Sequence, residues 1–196
     1  MAIIDSGGAN IASLLHALER IGVSGTLTTD ATVIETAGRV ILPGVGAAGD
    51  AMQRLREHRL IDVIRGLKQP VLGICLGMQL LADASEEEDV ECLGVIPGVA
   101  TRLPAETGFP VPNMGWCPVE KIAEHELLTS VENGSYFYFV HSYALPIADN
   151  TLATARHTDT FSAIVGLDNF VAAQFHPERS SADGARLLRS FIGMGS

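Results

Sequence analysis

Cysteine, histidine and glutamate can together run nucleophilic chemistry on a carbonyl, and this chain offers one such set. Cys75 lies in Gly73-Ile74-Cys75-Leu76-Gly77, between an apolar run, Val71 to Ile74, and a helix-forming run, Met78 to Ala82. The apolar run suits a buried parallel strand. A residue between glycines at a strand-to-helix junction has the pattern of a nucleophile elbow. The glycines let chain and substrate approach closely, and a helix N-terminus behind the sulfur stabilises a thiolate. A buried, inert cysteine between two core elements is the competing reading.

A cysteine nucleophile needs a base, and the base needs a group to orient it. Gln174-Phe175-His176-Pro177-Glu178 closes a strand-like run. Proline favours an extended conformation in the residue before it. In an extended segment residues i and i+2 share a side. His176 and Glu178 are therefore expected side by side, leaving one imidazole nitrogen for the Cys75 sulfur.

A tetrahedral intermediate also needs donors for its oxyanion. The Leu76 N–H, at the start of the helix, is one candidate. The glycine-rich Pro43-Gly44-Val45-Gly46 is another source, because parallel strand ends converge on one crevice. An ordinary turn is the alternative reading there. His141 reads as structural, and His16, His58, His125 and His157 as exposed. Cys92 and Cys117 have no elbow context and read as packing residues.

The elements that must hold these residues follow from apolar spacing. Ala2 to Asp5 reads as a strand, and Ile11 to Ile21 as a helix with apolar residues at 11, 14, 15 and 18. Gly25 to Thr29 and Arg39 to Leu42 read as strands, and Gly49 to Leu67 as helix in one or two pieces. This alternation argues for a parallel sheet covered by helices. The acidic run Glu86 to Glu91 reads as a solvated loop. Beyond it the chain turns β-rich, with strands expected at Tyr136 to Val140, Leu152 to Arg156, Ala163 to Leu167 and Phe170 to Phe175. A closing helix is expected over Ser180 to Ile192. The expectation is one α/β domain over 1–196, with an extra β-rich layer in its C-terminal half.

Composition narrows the function classes. The 196 residues carry a net charge of -10, which argues against a broadly basic nucleic-acid surface. The longest apolar stretch surrounds Cys75 and is broken by Gln79, well short of the roughly 20 residues that span a bilayer. Met1-Ala2-Ile3-Ile4-Asp5 reads as a strand, not a signal. Three cysteines without a C-x-x-C indicate neither a disulfide framework nor a zinc site. A cytoplasmic protein without metal or cofactor is expected.

Three separated blocks agree with one family. Pro43-Gly44-Val45-Gly46, Gly73 to Gln79 and His176-Pro177-Glu178 resemble the class I (triad) glutamine amidotransferases, which hydrolyse the side-chain amide of glutamine and pass ammonia to a synthase. Asn113-Met114-Gly115-Trp116 and the block Tyr136 to Tyr143 further resemble the glutaminase subunits of imidazole glycerol phosphate synthases. The resemblance implies a flavodoxin-like fold and a partner, the cyclase subunit, in a heterodimer. The cyclase would make imidazole glycerol phosphate and AICAR in histidine biosynthesis. It implies Cys75 as nucleophile, His176 as acid and base, Glu178 as orienting group, and Val45 and Leu76 as oxyanion donors. Gly44, Gln79, Ser142 and Tyr143 would hold glutamine. Asn10, Trp116 and Arg179 are expected at the partner face, with Trp116 in a loop between Pro112 and Pro118. The first loop departs from the family: Ser6 stands where an aromatic residue is more frequent, and Ala9 where a second glycine is. The Val45 N–H is expected to turn toward the reacting carbonyl only when the loaded cyclase is bound.

Overall fold

The computed structural model describes residues 1–7 and 11–195. The first half alternates strand and helix: β1 (Ala2–Ile4), α1 (Ile11–Arg20), β2 (Thr26–Thr28), α2 (Ala31–Thr36), β3 (Val40–Gly44), α3 (Ala48–Glu57), α4 (Ile61–Gly66), β4 (Val71–Cys75) and α5 (Leu76–Leu81). The helical stretch expected over 49–67 is thus two helices, separated by a turn in which Arg59 has a positive φ of 56°. The second half is mostly strand: β5 (Ala84–Ser85), β6 (Val90–Glu91), β7 (Val99–Arg102), β8 (Asn113–Lys121), β9 (Ser135–His141), β10 (Tyr143–Ala144), β11 (Thr151–Arg156), β12 (Thr160–Leu167) and β13 (Phe170–Ala173). Helix α6 (Ser181–Gly193) follows.

Among the described residues, nine strands form one sheet in the order β2-β1-β3-β4-β13-β12-β11-β8-β9. The neighbours from β2 to β13 run parallel, and those from β13 to β9 antiparallel. A smaller four-stranded sheet, β10-β7-β5-β6, is the added β layer.

The central strands are apolar at every position because both faces are covered. Ile3, Ile41 and Leu72 point to the side of α1 and α6, where they pack with Leu14, Leu18, Leu187 and Phe191. Ala2, Ile4, Val40, Leu42 and Val71 point to the other side, against Ile34, Met52, Leu55 and Ile64. The sheet register then sets three strand ends in one row, with Gly44 beside Cys75 on β4 and Ala173 beside Ile74. No described helix is long and apolar enough to cross a membrane.

Candidate active site

Cys75 stands at the junction of β4 and α5 with φ 52° and ψ −109°. A non-glycine residue in such a conformation costs free energy and persists only where its surroundings over-determine it. The flanking glycines show why the surroundings do so. A Cβ on Gly77 would lie 1.8 Å from the Leu42 carbonyl oxygen, and one on Gly73 2.8 Å from Leu81 Cδ1. The helix therefore starts directly against β3, with the cysteine at the crest. The Cys75 thiol can donate to Val140 O at 3.6 Å.

His176 continues the line of β13 with extended backbone, φ −100° and ψ 95°. Pro177–Arg179, however, is a turn of 3-10 helix and not the extended segment expected from the His-Pro-Glu spacing. The turn curls Glu178 back, so that its Oε1 accepts from His176 Nδ1 at 2.8 Å. Both side chains are nearly sealed, at 6% and 5% exposure. The His176 N–H donates to Tyr138 O at 2.9 Å. Ser180 Oγ donates to His176 O at 2.7 Å and accepts from Tyr138 N at 3.0 Å. Ser180, expected only as the start of the closing helix, thus ties His176 to β9.

Burial is the largest influence on the His176 imidazole and pushes its pKa down. Hydrogen bonds and charge from Cys75 and Glu178 outweigh it and raise the pKa from 6.5 to about 10. A histidine that holds its proton next to a thiol is suited to a thiolate–imidazolium pair.

The loop after β3 lies against this elbow. A Cβ on Gly44 would sit 2.8 Å from Leu76 Cβ, so only glycine lets the end of β3 come so close to the start of α5. Val45 is half-buried, and Gly46 is exposed with φ +107°. Ser6, buried, donates its hydroxyl to Pro43 O at 2.7 Å and ties the first loop to this one.

A cleft of about 520 Å³ opens over Cys75, and its walls include Val45, Leu76, Gln79, Ser142, Tyr143 and His176. Glu87 and Arg179 also line it. The acidic run is therefore more than the solvated loop expected. Glu87 Oε2 accepts from Ala48 N at 2.9 Å at the start of α3, whose own cap residue Ala47 offers no side-chain acceptor. Glu86 Oε2 accepts from Arg102 N at 2.8 Å. His125 and His157 are half-buried with hydrogen-bond partners, Leu127 N and Pro110 O, and not simply exposed. Burial depresses the His141 imidazole to about 4, against the opposing pull of the Tyr143 carbonyl.

Trp116 lies on β8 and not in a loop, and 50% of it is exposed, so it is no core residue. It meets Tyr138 edge-on, with ring centroids 5.9 Å apart. The Arg179 guanidinium lies 4.6 Å from the centroid of the same Tyr138 ring. The two residues thus share an aromatic neighbour at the rim of the cleft. Asn10 lies outside the described residues.

The family model described as "Glutamine amidotransferase class-I" matches residues 2–194. The chain belongs to the class I glutamine amidotransferases. Among the relatives of this amidotransferase is "Imidazole glycerol phosphate synthase subunit HisH" of Xanthomonas euvesicatoria, 48% identical over 99% of this chain and 97% of that protein. "Imidazole glycerol phosphate synthase subunit HisH 2" of Legionella pneumophila (strain Lens) is 50% identical over 100% of this chain and 98% of that protein. The HisH subunit of Shewanella oneidensis is 46% identical over 99% and 96%. Solved structures share the amidotransferase fold at lower identity. One described as "glutamine amidotransferase" has a TM-score of 0.75 at 20% identity, covering 98% of this chain and 96% of that one. The structure of PurLQS from Thermotoga maritima has a TM-score of 0.70 at 19% identity, with the same coverage.

Proposed function

We propose that this chain is the glutaminase subunit of an imidazole glycerol phosphate synthase. It hydrolyses glutamine to glutamate and ammonia, and hands the ammonia to a cyclase subunit in a heterodimer of histidine biosynthesis. The observation that carries the chemistry is Cys75 at a strained elbow with His176 beside it and Glu178 2.8 Å behind. Full-length identity of 46–50% to HisH subunits supports the choice among amidotransferases. The whole chain, 1–196, acts as one domain in this reading, in keeping with a family match over 2–194.

In the reaction, the Cys75 thiolate attacks the side-chain amide carbon of glutamine. The new oxyanion is met by N–H groups of Leu76, at the head of α5, and Val45. His176 gives its proton to the amide nitrogen, the C–N bond breaks, and ammonia leaves a glutamyl thioester. A water molecule then loses a proton to His176 and attacks the thioester, releasing glutamate and the thiolate. Glu178 holds the imidazole and balances its charge, and Gly44, Gln79, Ser142 and Tyr143 hold the substrate. Glu87, the only carboxylate among the described residues that line the cleft, is suited to the substrate ammonium.

The partner face extends from Arg179 over Tyr138 to Trp116 and Met114, both well exposed on β8. Exposed aromatic anchors of this kind dominate interface energy. Three free thiols suit a reducing cytoplasm. The experiment that tests the proposal is glutaminase activity of the chain with and without the cyclase subunit, using glutamine-dependent and ammonia-dependent synthesis as separate readouts.

A further inference from the structure

Gln174 is fully buried at the end of β13 and has no part in the roles above. β13 pairs with β4 so that Ala173 lies beside Ile74, and one further residue along each strand sets Gln174 level with Cys75. Gln174 Nε2 lies 3.8 Å from Cys75 Sγ. Gln174 Oε1 accepts from Gln79 Nε2 at 3.3 Å. The same Gln79 nitrogen donates to Tyr143 O at 3.0 Å.

A backbone carbonyl fixes the sense of this chain. It can only accept, so Tyr143 O requires the NH₂ group of Gln79. The second Gln79 N–H then requires the oxygen of Gln174. The Gln174 NH₂ is left facing the sulfur. Turning either amide over would bring two like groups together in a buried site, where an unmade hydrogen bond is costly. The starting carbonyl is itself held, since it accepts from His141 Nδ1 at 2.9 Å.

We propose that Gln174 is an amide donor to the Cys75 sulfur, held in its donating sense by Gln79 and the Tyr143 carbonyl. This rests on the reading of Cys75 as nucleophile. The thiol form has Val140 O as its acceptor, and the thiolate form takes the Gln174 N–H. Gln174 therefore favours the reactive form of the sulfur and aims it. A hydrogen bond to a charged group is worth a factor of roughly ten or more.

The test is iodoacetamide labelling of the full chain, with the three cysteines followed separately by peptide mass. Two variants are compared with wild type. Gln174→Glu keeps an oxygen toward Gln79 but removes the N–H, and Gln174→Met keeps the volume and removes both. In wild type, Cys75 is expected to label faster than Cys92 and Cys117. In both variants Cys75 labelling should slow about ten-fold, most in Gln174→Glu, with Cys92 and Cys117 unchanged. In complex with the cyclase, kcat for glutamine should fall in parallel, KM should change little, and ammonia-dependent synthesis should persist. Wild-type labelling and kcat in either folded variant would overturn the role of Gln174 and leave Cys75 as nucleophile. Cys75 labelling no faster than Cys92 and Cys117 in wild type would instead overturn the nucleophile, and this inference with it.

Discussion

Glu178 Oε1 accepts from His176 Nδ1 at 2.8 Å, and its second oxygen, Oε2, is buried with no partner among the described residues. The carboxylate charge therefore acts mainly on the imidazole. Glu178→Ala should lower glutamine turnover by about 10²-fold or more, since it releases the acid–base residue from its orientation. Glu178→Gln keeps a hydrogen-bonding group and should lose less than Cys75→Ser. An undiminished rate for Glu178→Ala would exclude the proposed role.

Selective chemistry at one of three thiols is the second expectation. Cys92 is pushed up to about 11 by burial, only partly offset by Arg56, and burial also raises Cys117. A diazo-ketone glutamine analogue should therefore modify Cys75 and largely spare the other two. Even labelling of all three, read by peptide mass, would count against the assignment.

The two buried histidines predict opposite pH windows. His141 is depressed to about 4, so the unfolded chain binds its proton more readily between that value and 6.5. Its contribution is full above 6.5 and is lost as pH falls toward 4, up to about 3 kcal/mol in all. His176 is raised to about 10, so its contribution is full below 6.5 and is lost as pH rises from there through about 10. Urea denaturation of the chain from pH 7 to 5 should show declining stability, and His141→Leu should flatten that slope. An unchanged slope in the variant would contradict the cause named.

The sequence made the site more legible than the frame around it. Glycines 73 and 77 announce the elbow because close approach leaves no alternative residue, as the 1.8 Å encounter at Leu42 O makes plain. The parallel core was legible because strands covered on both faces are uniformly apolar. β8 was hidden for a converse reason. Its apolar Met114 and Trp116 face outward, and Gly115 and Pro118 interrupt it, so no inward alternation marks it. Helix α2 is rich in β-branched residues, which masks its helical character. Asp30 caps it, its Oδ1 accepting from Thr32 N and Val33 N at 2.8 and 3.3 Å. Glu87 and Gln174 reach the site through pairing distant in sequence, which no local pattern encodes.

Trp116 and Val45 carry the expectations about coupling. Trp116→Ala should weaken assembly with the cyclase, measured by titration calorimetry, because it removes an exposed aromatic anchor. Unchanged affinity would remove it from the interface. The exposed Gly46, with φ +107°, and the tightly packed Gly44 bracket Val45. Rotation of this peptide would withdraw one oxyanion donor, worth roughly 10²–10³ in rate. Glutaminase activity of the complex should rise by about that factor when cyclase ligand is added. An isolated chain as fast as the loaded complex would exclude the switch.

The most direct test of the central claim is synthesis by the complex of Cys75→Ser with the cyclase subunit, supplied in turn with glutamine and with ammonium. Serine is a far weaker nucleophile in this setting. Synthesis from glutamine should be abolished and synthesis from ammonium preserved. Persistent synthesis from glutamine, or loss of synthesis from ammonium in an assembled complex, would contradict the account.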